Sequence, residues 1–255
     1  QMAANKKVLI TGAAGLVGSV LRDGLADSYD LSGVDIKAID GFDCHVADTT
    51  DLAAIQPAFE GIDTVIDLAS IPSQHSPWDV VHRNNLTSTY NSLEAARVAG
   101  AKRVIFASSN HATGNYENDL PYSAIVAGEY EGMDPDAIPY ITTTMPIRPD
   151  GPYGIGKAFG EAAGRYHSDV FGLSVLCMRI GTLNREGRPT APRQFATLLS
   201  HGDLVRLASA CIDAPDDIRF GVYYGVSDNK WRFWDVANSR EEIGYHPQDN
   251  AEAWR

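Results

Sequence analysis

Tyr153 and Lys157 stand four residues apart, and on a helix that spacing brings both side chains to one face. A phenol that has lost its proton can act as a general base, and an ammonium nearby favours the phenolate. An unperturbed tyrosine titrates near about 10, so the lysine and a cationic cofactor ring must lower it for work at neutral pH. Ser109, at the end of an apolar run, can donate a hydrogen bond to the same reacting oxygen. Far upstream, Gly12, Gly15 and Gly18 form a Gly-x-x-Gly-x-x-Gly pattern. A glycine grip and a Tyr-Lys pair, in this order, predict hydride transfer to a nicotinamide cofactor.

The glycine pattern has the neighbours it needs. Residues 7–11 are a short β-branched run that reads as a buried parallel strand. Leu16, Val17, Val20, Leu21 and Leu25 then recur at helical spacing. In such a unit Gly12 makes the tight turn, Gly15 admits a pyrophosphate, and Gly18 lets helix and strand pack closely. The helix start presents free N–H groups to the phosphates. Asp35 ends the next apolar run at the spacing expected for an acid on the adenosine ribose. Its carboxylate would repel a 2′-phosphate, and Ile36 rather than an arginine follows it, which favours NAD over NADP.

Strands and helices keep alternating beyond this unit. Residues 44–48, 64–69, 103–108 and 174–180 read as strands, and residues 50–59, 78–99 and 153–171 as helices. The alternation predicts an α/β fold, a doubly wound parallel sheet of the Rossmann type. Its ligand crevice lies at the carboxyl ends of the strands. Residues 115–150 carry prolines, acids and scattered aromatics and read as a long loop over that crevice. After residue 180 the rhythm loosens. The expectation is one domain over 1–255, with an NAD-binding core at 3–180 and a small substrate-covering lobe at 181–255, around residues 195–212 and 220–226.

Thirty-three acidic against 21 basic residues give a net charge of −12, which argues against binding a phosphate backbone. No apolar run approaches the length of a membrane span, and no secretory leader is evident, so no membrane partner is expected. Cys44, Cys177 and Cys211 are odd in number and widely spaced, which reads as free buried thiols in a reducing, cytoplasmic setting. None of the seven histidines has an acid or cysteine at metal spacing, so no metal is expected.

The runs Thr11-Gly12-Ala13-Ala14-Gly15, Ser108-Ser109-Asn110-His111, Arg148-Pro149-Asp150-Gly151, Tyr153 with Lys157, Arg179-Ile180-Gly181 and Asp249-Asn250-Ala251-Glu252-Ala253 carry a family resemblance. Over almost its whole length the chain resembles extended short-chain dehydrogenases/reductases of the NAD-dependent epimerase/dehydratase superfamily, above all uronate dehydrogenases. The resemblance implies NAD-dependent oxidation of a hexuronic acid at C1 to an aldarolactone. Ser109, Tyr153 and Lys157 would be catalytic. Asn110, His111, Ser73 and Arg193 would hold the sugar acid, Arg193 by a bidentate contact to its carboxylate. Leu16, Val17, Ile36, Asp48, Thr49, Leu68, Ala69, Ser70, Asn85, Ile180 and Thr182 would line the cofactor. Read on the residues alone, Arg193 could equally be a surface arginine and His111 a structural histidine.

The segment before Tyr153 is longer than in typical uronate dehydrogenases. It is nearer in length to NAD-dependent glucose-6-phosphate dehydrogenases of halophilic archaea, so that sugar is the alternative substrate. A sugar-nucleotide epimerase or dehydratase would share the fold. Dehydratases, however, carry Asp-Glu where this chain has Asn110-His111. A non-catalytic NAD sensor fits poorly with an intact Tyr153 and Lys157. A homo-oligomer is possible on either enzymatic reading.

Overall fold

In the computed structural model, which describes residues 5–73 and 75–255, the apolar runs pair into one parallel sheet. Its strands are β1 (Lys7–Thr11), β2 (Asp30–Asp35), β3 (Cys44–Val46), β4 (Thr64–Asp67), β5 (Arg103–Ser109), β6 (Ser174–Ile180) and β7 (Phe220–Gly225). They lie in the order β3-β2-β1-β4-β5-β6-β7, and every neighbouring pair is parallel. β4 and β5 are buried at every position because helices cover both faces of the sheet. The expected start of the NAD-binding core, residue 3, lies outside the described residues.

The connections carry α1 (Leu16–Leu25), α2 (Leu52–Ile55), α3 (Trp78–Val80), α4 (Thr87–Ala99), α5 (Tyr122–Ala127), α6 (Pro152–Phe171), α7 (Gln194–Thr197), α8 (His201–Ile212) and α9 (Ala237–Ile243). On one face Leu21 and Leu25 of α1 share a core with Leu204 and Leu207 of α8. On the other, Leu93 and Ala96 of α4 pack with Phe59 and Val104. Pro152 starts α6, where its missing N–H costs nothing, and Gly172 ends it at φ 72°.

Several boundaries differ from the sequence reading, each for a local reason. Pro57 removes a backbone donor, so residues 50–59 divide into α2 and a 3-10 turn over Gln56–Phe59. The helix expected over 78–99 is continuous but widens into a π turn over Val81–Leu86. Cys177 and Cys211 are buried free thiols, whereas Cys44 on the edge strand β3 is only partly covered.

The segment after residue 180 is built onto the same sheet. β7 pairs along β6 as far as Ile180 and Gly225, and α8 packs on α1. Residues 115–150 are more ordered than a loop reading expects: they contain α5 and bury Tyr116, Tyr122, Ile125, Ile138 and Ile141. Their aromatics find partners in the C-terminal segment. Tyr130 stacks on Trp231 with ring centres 4.1 Å apart, and Ile141 bridges to Trp234 through the backbone. Among the described residues no helix is long and apolar enough to cross a membrane.

Candidate active site

Strand order reverses between β1 and β4, so the loops leaving their carboxyl ends diverge and open a crevice. A cleft of about 820 Å³ lies there. Gly12, Gly15, Leu16, Val17, Gly18, Asp35, Ile36, Asp48, Thr49, Leu68, Ala69 and Ser70 line one end. Ser109, Asn110, His111, Tyr153, Lys157, Ile180, Thr182 and Arg193 line the other. Two expected residues, Ser73 and Asn85, are not part of the lining. Asn85 is buried behind the wall, where its amide accepts from Ile71 N at 2.9 Å and donates to Ile71 O at 3.2 Å. Asn84 and Ser88 reach the cleft from that helical stretch instead. Ser73 accepts a hydrogen bond from His75 N in a turn beyond the lining residues. Nor does any residue from 115 to 150 line the cleft.

The first end is a backbone cradle. Gly12 has φ +67°, and a Cβ there would come within 3.0 Å of the Leu68–Ala69 backbone. Gly15 caps α1 without any side-chain hydrogen bond, so the first N–H groups of that helix stay free. Asp35 braces the turn: its carboxylate accepts from Ala14 N at 2.9 Å and from Lys37 N at 3.1 Å. Both oxygens keep a further lone pair for ribose hydroxyls. Ile36, 66% exposed, offers an apolar surface at the lip. Open helix N–H groups, an acid across from them and an apolar lip fit an adenine dinucleotide.

Tyr153 reaches the other end because α6 packs directly on the backbone of the Ser109–His111 turn. A Cβ on Gly154 would lie 2.2 Å from the His111 carbonyl oxygen, so only glycine allows that approach. Tyr153 is 9% exposed, and burial pushes its phenol up to about 12, while a hydrogen bond with Ser109 pulls the other way. The sequence reading expects Lys157 and a cationic cofactor ring together to lower the phenol; in the protein alone desolvation sets the direction. Lys157 Nζ stands 5.5 Å from the Tyr153 ring and donates to Ala107 O at 2.6 Å and Ser70 Oγ at 3.3 Å. Burial lowers its pKa to about 8, opposed by the charge of Asp67. Asp67, buried at the end of β4, is itself pushed up to about 6 by desolvation. Against that, it accepts a 2.6 Å hydrogen bond from Thr11 Oγ1 and feels Lys157.

Beside this group the side chains are tied to one another. Asn110 donates to Ile180 O at 2.9 Å and accepts from Arg193 at 3.0 Å. Arg193 forms a two-pronged ion pair with Glu117, Nε to Oε2 at 2.6 Å and Nη2 to Oε1 at 2.7 Å. His111 Nδ1 lies 2.6 Å from Asp150, and its ring meets Tyr153 edge-on at 5.7 Å. Behind them Glu161 holds Arg179 through two 2.8 Å hydrogen bonds and accepts from Ser108 at 2.6 Å. Among the described residues no group of three or more His, Cys, Asp or Glu could hold a metal ion.

Sequence reasoning had passed over Asp67, Glu117 and the pairing role of Asp150. Asp67 carried a signal, an acid ending an apolar strand, and Asp150 sits in a motif just before Tyr153. Glu117 carried none.

The model of the NAD dependent epimerase/dehydratase family matches residues 8–201. The chain is similar to the NAD-dependent glucose-6-phosphate dehydrogenase of Haloferax volcanii, with 35% identity over 97% of this chain and 95% of that protein. It is also similar to L-arabinose 1-dehydrogenase (NAD(P)(+)) of the same organism, with 34% identity over 96% and 97% of the two chains. Among solved structures, uronate dehydrogenase from Agrobacterium tumefaciens superposes with a TM-score of 0.82 at 32% identity, covering 98% of this chain and 87% of that one. The backbone cradle, the Ser-Tyr-Lys group at the far end of the cleft and a likeness that runs the length of the chain agree: it belongs to the NAD-dependent epimerase/dehydratase family.

Proposed function

We propose that this chain is an NAD-dependent dehydrogenase that oxidises the C1 hydroxyl of a sugar to a lactone. The observation that carries this reading is one cleft with a glycine cradle and Asp35 at one end and Ser109, Tyr153 and Lys157 at the other. NAD, when bound, supplies the acceptor for the hydride leaving C1. The chain's own residues handle the proton. Tyr153 takes it from the C1 hydroxyl, and Ser109 holds the same oxygen by a hydrogen bond. Burial keeps the phenol neutral until a cation enters beside it, which couples the base to a filled cleft. Tyr153 also sits in the first turn of α6, where the helix dipole favours an anion. Lys157, fixed by Ala107 and Ser70, provides a positioned charge below the ring. Asp35, at the cofactor end, favours NAD over NADP.

The relatives named for glucose 6-phosphate, L-arabinose and uronate share oxidation of a sugar and differ in which sugar. The resemblance points to a hexuronate with Arg193, Asn110 and His111 at the sugar end, whereas the two-pronged pairing of Arg193 with Glu117 favours a neutral sugar. In this reading residues 3–180 hold most of the cofactor, and residues 181–255 add Thr182 beside it and complete the sugar end through Arg193. NADH formation measured against uronic acids, neutral aldoses and sugar phosphates is the direct test. No NADH from any of them, with interconversion of a nucleotide sugar instead, would overturn it.

A further inference from the structure

Among the described residues, each basic side chain that lines the sugar end of the cleft already has a carboxylate of this chain beside it. His111 is paired with Asp150 at 2.6 Å, and Lys157 feels the buried Asp67. Arg193 is the most fully committed. A guanidinium has five N–H donors, and all five have acceptors here. Nε and one Nη2 hydrogen go to Glu117, the other Nη2 hydrogen goes to Asn110 Oδ1, and Nη1 spans Thr182 Oγ1 at 2.8 Å and Thr197 Oγ1 at 3.4 Å. No edge of the guanidinium is left for a second carboxylate.

Resting on the dehydrogenase reading above, we propose that Glu117 is a built-in carboxylate that saturates Arg193 and commits the sugar end to an uncharged aldose. A hexuronate or a sugar phosphate would have to displace it. The side chain of Glu117 is only 14% exposed, so the displaced carboxylate would be left poorly solvated and next to the incoming anion. A neutral substrate meets no such cost, because it brings no second anion to the guanidinium and leaves the pair with Glu117, which lies behind the cleft lining, in place. Glu117 therefore acts on specificity by setting the charge that Arg193 presents.

The test compares NADH formation from L-arabinose, D-xylose and D-glucose with that from D-glucuronate, D-galacturonate and glucose 6-phosphate. It uses the wild-type chain, Glu117→Gln and Glu117→Asp. Calorimetric titration of L-arabinose and D-glucuronate into each NAD-saturated protein runs alongside. The wild type is expected to favour neutral aldoses. Glu117→Gln frees a charged fork and should raise the ratio of glucuronate to neutral kcat/KM by about tenfold or more, chiefly through KM. Glu117→Asp keeps the charge and should keep the neutral preference. A wild type that prefers the anionic sugars overturns the proposal, as does a ratio that Glu117→Gln leaves unchanged. Absence of NADH from every sugar sinks the dehydrogenase reading instead. Calorimetry then still decides on Glu117, since equal or tighter binding of glucuronate by the wild type refutes its role.

Discussion

At the cofactor end of the cleft the contacts are made by backbone groups and near neighbours. Gly12, Gly15 and Gly18 fall in one turn, and Asp35 reaches Ala14 across 21 residues within a single β-α-β unit. At the sugar end the contacts join distant segments: Arg193 to Glu117 across 76 residues, Asn110 to Ile180 across 70, His111 to Asp150 across 39. The first end relies on one left-handed turn at Gly12 and on close backbone approach at Gly18, and it can serve any relative that needs the same cofactor. The second relies on side-chain charge pairs, so one substitution can change what is bound there without disturbing the cradle. Tyr153 and Lys157 stand at the junction.

Four measurements would sharpen or break that contrast. The largest effect should come from the junction. Tyr153→Phe should lower turnover by about 10²- to 10⁴-fold while NAD titration remains as in the wild type. Near-normal turnover would move the proton transfer to another group.

Arg193→Ala should come next, as a loss of stability. It leaves Glu117 unpaired and strips acceptors Asn110 and Thr182 of their donor, for a cost of about 1.5–3 kcal/mol in chemical denaturation. Adding Glu117→Ala should restore part of that loss. An unchanged midpoint would mean that the sugar end is not held together by its ion pair.

Asp35→Ala should act on cofactor choice rather than on the fold. Losing charge-assisted hydrogen bonds to the ribose should reduce the NAD over NADP preference by about tenfold or more. A larger loss of stability here than in Arg193→Ala would reverse the comparison between the two ends.

The last measurement is the pH dependence of stability through Asp67. Its folded pKa of about 6 lies above the ordinary 3.8, so the folded chain holds that proton more tightly than the unfolded one. The contribution is fully present below about pH 4 and is lost as the pH rises through about 6. Urea unfolding at steps across that window should show the decline in wild type and a flatter course in Asp67→Asn. Lys157 runs the other way. Its pKa falls from 10.5 to about 8, so its contribution is present above 10.5 and lost as the pH falls through about 8. Identical wild-type and variant curves between pH 4 and 6 would mean that Asp67 does not titrate there.

The glycine turn and Asp35 were legible in the chain because their signals are local, whereas the helical stretch that brings Asn84 and Ser88 rather than Asn85 to the cleft was not. A glycine needed at φ +67° and an acid ending the second strand show in the chain at those positions. The sheet was legible too, since fully buried parallel strands read as unbroken apolar runs. β7 was assigned to a lobe because its Phe-Gly-Val-Tyr-Tyr-Gly run follows an irregular stretch, and only pairing with β6 placed it in the sheet. The ordered packing of residues 115–150 was hidden for a similar reason: Tyr130 and Ile141 find their partners in Trp231 and Trp234, about a hundred residues away.

By itself the sequence determined the class of chemistry. The spacing of Tyr153 and Lys157, the glycines and Asp35 each act within one turn, one helix face or one β-α-β unit. Tertiary structure decided the electrostatics. Whether Tyr153 is raised or lowered depends on how much water the fold removes around it, and burial prevailed. Whether Arg193 is free to meet a substrate depends on Glu117, which no spacing rule connects to it. A charge pair of that kind forms only when distant segments are folded against each other, because the attraction between charges depends on their separation in space and on the solvent between them, not on their separation along the chain.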